Sequence, residues 1–245
     1  FSFAKKDIQA KYAQTFLGIT WTLLQPISGL LIFTFFFEYV LKMNAYNQPF
    51  PVFAFIGFSA WNFWSSILNQ GSTAIFDRRQ LLSKVYFPKI ILPMSKVLTS
   101  SFDFFISLLL LIILIPAFEL DFAYKIIFIP LIYLLQISFS FSCSIILAII
   151  SLRKRDFFHI IPYIMNFGIW LTPVFYQISL FPEKWRFFFY INPIALCIEG
   201  YRWCIFEYYP IDEKLLYYNL PIIVIFFIIA ISLIKKNEDE FVDEI

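Results

Sequence analysis

The sequence predicts an all-α polytopic membrane protein built on six transmembrane helices, and three observations predict it. Hydrophobic residues fill 60% of the 245 positions and charged residues only 15%, well under the roughly 25% of soluble domains. Six stretches near 17–42, 51–76, 91–115, 126–150, 158–178 and 219–234 are apolar. Most reach the about 20 residues that a helix needs to cross a bilayer core of about 30 Å. Basic residues, finally, gather in alternate connections. One membrane domain, 1–245, uses up the length.

Residues 1–13 open as a short amphipathic helix. Phe1, Ala4, Ile8 and Tyr12 share one face, with Lys5, Lys6, Gln9 and Lys11 around the rest. That pattern suits a helix lying at the membrane surface; a plain positively charged flank is the competing reading. The chain opens on Phe1, so a few residues are expected to precede this numbering. The first span carries Gln25, Ser28, Gly29, Phe36 and Tyr39 on one face, with Pro26 as a kink. Phe58, Trp61, Asn62, Ser65 and Asn69 align in the second, and Lys96, Thr99, Ser100, Asp103 and Ser107 in the third. Tyr133, Gln136, Ser140, Cys143 and Ser144 align in the fourth, and Tyr163, Asn166, Phe167 and Trp170 in the fifth. Each set follows the 3.6-residue period. Small and polar residues also serve ordinary span packing, but five such faces in one chain point to a polar, aromatic-lined interior. The 34 Phe count for less, since an AT-rich coding sequence also raises Phe. The sixth span is short and borrows Tyr217 and Tyr218 as an interfacial anchor.

Charge placement orients the spans. Lys5, Lys6 and Lys11, then Arg78, Arg79, Lys84 and Lys89, then Arg153, Lys154 and Arg155, then Lys235 and Lys236 mark alternate connections. Loops 43–50 and 116–125 hold only Lys125, beside Glu119 and Asp121. By the positive-inside bias both termini and the loops 77–90 and 151–156 are cytoplasmic, and 179–218 is external. Asp103 is the one acid deep in a span, where an isolated charge costs about 2.5–3.5 kcal/mol. It is read as partnered by Lys96 two turns away, with proton coupling or substrate binding as the alternative.

Two connections hold structure of their own. In 77–87, Leu81, Leu82, Val85 and Tyr86 form an apolar face between Asp77, Arg78, Arg79 and Lys84, stopped by Phe87 and Pro88. Such a helix docks into a partner's groove or adsorbs to the membrane surface. Segment 179–218 is helix-like over 183–190 and 194–207 and punctuated by Pro182, Pro193 and Pro210. It reads either as a re-entrant gate shielded by protein or as interfacial helices anchored by aromatics.

Several chemistries are excluded by pattern. The six glycines never form a phosphate-binding loop, and a single His159 rules out multi-histidine metal sites. Cys143, Cys197 and Cys204 form neither a disulfide framework nor a metal cluster. No catalytic and no metal residues are assigned.

The runs FIGFSAWNFWSSIL (55–68) and LLSKVYFPKIILP (81–93) resemble the membrane subunit of bacterial polysaccharide ABC exporters, the O-antigen, capsule and teichoic-acid permeases of the type 2 ABC transporter fold. So do KKDIQAKYAQTFLGITWTLLQPI (5–27), RKRDFFHIIPYIMNFGIWLTPVFY (153–176) and FPEKWRFFFYINPIALCIEGYRW (181–203), in order and at the expected spacing. The resemblance implies a multi-pass permease of the bacterial inner membrane, homodimeric, with two ABC ATPase subunits that carry the ATP and Mg. It implies no cofactor in this chain, no nucleic acid, and a lipid-linked glycan as cargo. It makes 1–13 the interface helix. The cytoplasmic coupling helix is 77–87, with Asp77, Arg78, Arg79, Leu81, Leu82, Lys84, Val85 and Tyr86, assisted by Arg155 and Asp156. The outer gate helices lie within 179–218, where Trp185, Phe189, Glu199 and Trp203 are the gate candidates. Helical phase, rather than a family motif, selects Phe36, Tyr39, Trp61, Tyr163, Asn166, Phe167 and Trp170 as channel-lining. Any glycan-reading domain is expected on the ATPase partner. Teichoic-acid export is the alternative within the family. Outside it stand a membrane glycosyltransferase using Glu119 and Asp121, and a passive or ion-coupled carrier pivoting on Asp103.

Overall fold

The computed structural model describes residues 2–12, 18–42, 45–82 and 87–236, and their regular structure is all helical, with no strand among them. In order the helices are α1 (Ser2–Tyr12), α2 (Trp21–Thr34), α3 (Phe50–Thr73), α4 (Arg79–Leu82), α5 (Ile91–Ala117), α6 (Ile129–Arg153), α7 (Phe157–Leu171), α8 (Glu183–Tyr190), α9 (Pro193–Ile205) and α10 (Glu213–Lys236). Short 3-10 turns lead into α2 and α6.

Among the described residues four helices are long and apolar enough to cross a bilayer: α3, α5, α6 with its leading turn, and α10. The first and fifth predicted spans are shorter apolar helices, Pro26–Val40 and Phe157–Leu171. Local chemistry accounts for both. Pro26 sits inside α2, where it removes a backbone donor, and α2 passes into a π-helical segment over Phe35–Val40. There the Leu41 amide donates to Phe36 O at 2.9 Å. α7 stops at Leu171 rather than running to 178, because Thr172 precedes Pro173 and is held extended at φ −110°, ψ 145°. The sixth span is longer than the predicted 219–234. Its start is set by Asp212, whose Oδ1 accepts the Lys214 amide at 3.0 Å, and Lys235 and Lys236 complement its C-terminal dipole.

α3 is the centre of the bundle. α2 runs antiparallel to it, with Phe37 near Phe50 and Gly29 against Phe58. α5 does the same, pairing Phe63 with Phe104 and Ser66 with Ser100. α6 runs parallel to α3: Gln136 Nε2 donates to Ala60 O at 2.7 Å, and Gly71 faces Ser144 so closely that any Cβ would strike its hydroxyl. The polar face of the fourth predicted span is therefore a packing seam of small and hydrogen-bonded residues. α10 packs beside α6 through Ala230 and Ile234.

α9 is a wedge. Asn192 caps it by accepting the Ile194 amide at 3.0 Å, and Pro193 occupies the first turn, where its missing N–H costs nothing. Nearly all of its side chains are buried, so it enters the bundle rather than lying on its surface. Gly200 admits Ile132 of α6, and Tyr201 meets Phe104 of α5.

Candidate functional site

Three arrangements carry chemistry beyond packing. The first is an aromatic face shared by the two short helices. On α7, Tyr163, Phe167 and Trp170 are each more than half exposed, and Asn166 is exposed beside them. On the π-helical segment, Phe36 and Tyr39 are likewise exposed. Phe33 and Phe37 join the helices, with rings 6.2 and 6.5 Å from that of Trp170, above a Phe175 ring stacked on Phe33 at 3.8 Å. Trp61 lies behind this face rather than along it. It is 4% exposed, against Trp64 and Gly168. The face assumed for the first span is also broken: Gly29 points inward at Phe58, and the π turn resets the phase before Phe36.

The second arrangement is a buried charge network behind α9. Arg202 Nη1 donates to Glu199 Oε1 at 2.7 Å and to Pro173 O at 2.8 Å. Its Nη2 donates to Val174 O at 2.6 Å. Tyr209 donates to the other Glu199 oxygen at 2.8 Å. Residues 173 and 174 lie in the non-helical turn after α7, so their carbonyls lack helical partners and the guanidinium supplies them. Glu199, a predicted gate residue, is thus held in an ion pair. Of the other gate candidates, Phe189 is buried against Tyr176 and Phe181. Trp185 is half-exposed, and Trp203 sits under Lys125. The sequence analysis does not single out Arg202. Its i,i+3 spacing from Glu199 inside an apolar helix was the available signal.

The third arrangement lies at the end of the bundle that carries α1, α4 and the start of α7. Asp7 of α1 pairs with Arg78 at 2.6 Å and with Lys96 of α5 at 2.8 Å. Lys11 and Tyr12 both bond the Asp103 carboxylate. Asp103 is partnered, but not by Lys96, as the sequence suggested. Seven residues along one helix separate those two by about 10 Å, while α1 crosses α5 and delivers its own cation. Nearby, the Phe76 ring lies under Arg79 at 4.5 Å and Arg155 at 5.5 Å and meets Phe158 at 5.1 Å. The structure therefore brings the 76–82 and 155–158 segments together. Asp77 accepts from Thr73 at 2.8 Å, Leu81 is half-buried, and Asp156 is exposed at the start of α7. Lys84, Val85, Tyr86 and the Leu82 side chain lie outside the described residues, so the predicted 77–87 helix is seen only as a 3-10 turn, Phe76–Arg78, and α4. Among the described residues no group of three or more His, Cys, Asp or Glu is placed to hold a metal; Glu119 and Asp121 are both exposed.

Comparison with known proteins adds to this geometry. The family described as ABC-2 type transporter matches residues 1–206. The chain is 30% identical over 246 residues to an O-antigen export system permease protein RfbA of Myxococcus xanthus, covering 100% of this chain and 94% of that protein. It is 25% identical over 198 residues to an O-antigen export system permease protein RfbA of Klebsiella pneumoniae, covering 80% of this chain and 76% of that one.

Proposed function

The chain belongs to the ABC-2 type transporter family, and from that membership we propose that it is the membrane subunit of an exporter that moves an O-antigen-type, lipid-linked polysaccharide out of the cytoplasm. The names of its relatives favour O-antigen. Two copies of the chain assemble with two ATPase subunits, which bind ATP and Mg. Both termini face the cytoplasm across the inner membrane, and α2 and α7 complete a six-span layout.

The observation that carries this reading is the exposed aromatic face of α2 and α7. Lipid contact requires only apolar side chains; this face also carries Tyr39, Tyr163 and Asn166. Sugar rings present C–H faces that stack on aromatics without fixing one sequence, as bases do on sequence-tolerant platforms. Two such faces meeting across a dimer would line a path for the glycan. ATP binding below would push on 77–87. Phe76 and Arg155 pass that displacement to α7, and the Arg78–Asp7 pair passes it to α1. The outer helices α8 and α9 then serve as the gate.

Charge reversal at Arg78 and Arg79 combined with Leu82→Asp tests the coupling. ATPase activity of the assembled or partner subunits is expected to persist while surface glycan is lost and the permease still inserts. Undiminished export in that variant rules out the coupling role.

A further inference from the structure

We propose that each protomer holds a second polar site, separate from the aromatic face, that takes a neutral, hydroxyl-rich ligand: a sugar unit of the cargo. A cavity of about 340 Å³ opens between α1, α2, α3 and α5, within the roughly 300–1,000 Å³ of small-molecule sites. α3 contributes Ser59, Asn62, Ser65 and Asn69 to its wall, and α5 contributes Ser100 and Asp103.

Polar residues in spans are often packing devices, and α6 shows what that looks like. Its Ser140 and Ser142 hydroxyls return to carbonyls one turn back, and Gln136 donates to α3. The cavity adds open space. Ser59 is 6% exposed and its hydroxyl has no hydrogen-bond partner, nor has the Asn69 carbonyl oxygen; the Ser144 hydroxyl and Gln136 Oε1 of the α6 seam are unpartnered too, but Ser59 and Asn69 also line the cavity. Leaving such a group unsatisfied costs about 1–3 kcal/mol, so these atoms call for water or a ligand. Charge narrows the class. Lys11 and Asp103 neutralise each other on the wall, which leaves, among the described lining residues, no free cation for a phosphate and no free acid for an amine. Hydroxyl and amide groups in alternation suit a carbohydrate edge.

Depth and closure fit the same use. Eleven residues separate Ser59 from Gln70, about 16 Å of helix, or half of the roughly 30 Å bilayer core. One wall is α1, held by Lys11 and Tyr12 on Asp103. The same helix grips Arg78 through Asp7, so filling the cavity and moving the ATPase-facing segment act on one element. The sugar identity rests on the exporter reading; the hydration of the cavity does not.

The test uses the permease with its ATPase in inverted membrane vesicles, carrying Ser59→Cys or Ser65→Cys and probed with a charged, membrane-impermeant maleimide. Both cysteines are expected to label. Labelling is expected to slow about tenfold in vesicles from cells making the lipid-linked glycan, relative to cells blocked at its first sugar, if the glycan stands near ten times its Kd. Lys236→Cys, at the exposed end of α10 on the face that inverted vesicles present to the reagent, serves as the unaffected control. No labelling at either position means a dry seam, and equal rates with and without glycan mean a merely hydrated void; either overturns the proposal. Export measured in the same strains, with and without the ATPase, reports separately on the exporter reading.

Discussion

The guanidinium carbon of Arg202 stands 3.5 Å from the centre of the Phe53 ring, although 149 positions separate the two residues. Arg202 is fully buried, and its two Nη groups hold Glu199 and the carbonyls that follow α7. One side chain thus fastens α9 to α3 and to the end of the helix that carries the aromatic face.

Arg202→Met leaves Glu199 without its cation in a dry site. Removing one partner of a buried pair costs about 3–5 kcal/mol, so the apparent unfolding temperature in detergent should drop sharply. Arg202→Lys should recover little, because a point charge cannot serve two carbonyls and a ring together. A lysine variant as stable as the parent would show that charge alone matters.

Gly57→Ala should destabilise through the same joint. A Cβ there collides with Val174 O and comes within 2.8 Å of Arg202 Nη2. Gly71→Ala strikes Ser144 instead, so Ser144→Gly should rescue Gly71→Ala and leave Gly57→Ala unimproved. Folded protein recovered after detergent extraction measures both.

Asp7→Arg should weaken export by releasing α1 from Arg78 and Lys96. The exchange Asp7→Arg with Arg78→Asp restores one pair and should recover more surface glycan than either single change. If the double variant does no better than the worse single, the Asp7–Arg78 contact is not a working linkage.

Tyr163→Ala and Phe167→Ala should depress export while folded protein stays near parental levels, since both rings are more than half exposed. Trp170→Ala should lower both, because that ring also packs against the stacked Phe33 and Phe175. Glycan on the cell surface and permease in the membrane, quantified in parallel, separate the two effects.

The all-helical class, the order of the helices and the positions of α3, α5 and α6 were legible because apolar length and period are local properties of the chain. The α7 face was legible for the same reason: Tyr163, Phe167 and Trp170 share one side of a regular helix. Trp61 matched the period too, but burial depends on which neighbour arrives. Gly168 leaves room for its ring, and that places it inside. The π turn at Phe35–Val40 broke the phase on which the first span's face had been drawn. Arg202 and Asp103 took partners from distant segments, which spacing along one helix does not reveal.

By itself the sequence determined that this chain lives in a bilayer as a bundle of helices, because hydrophobic length and the placement of Lys and Arg act residue by residue. Only the tertiary structure decided which charges meet across helices: Asp7 with Arg78 and Lys96, Asp103 with Lys11. Ion pairs in a low-dielectric interior form between groups that packing brings within about 4 Å. That proximity is set by how whole helices cross, not by the order of residues within any one of them.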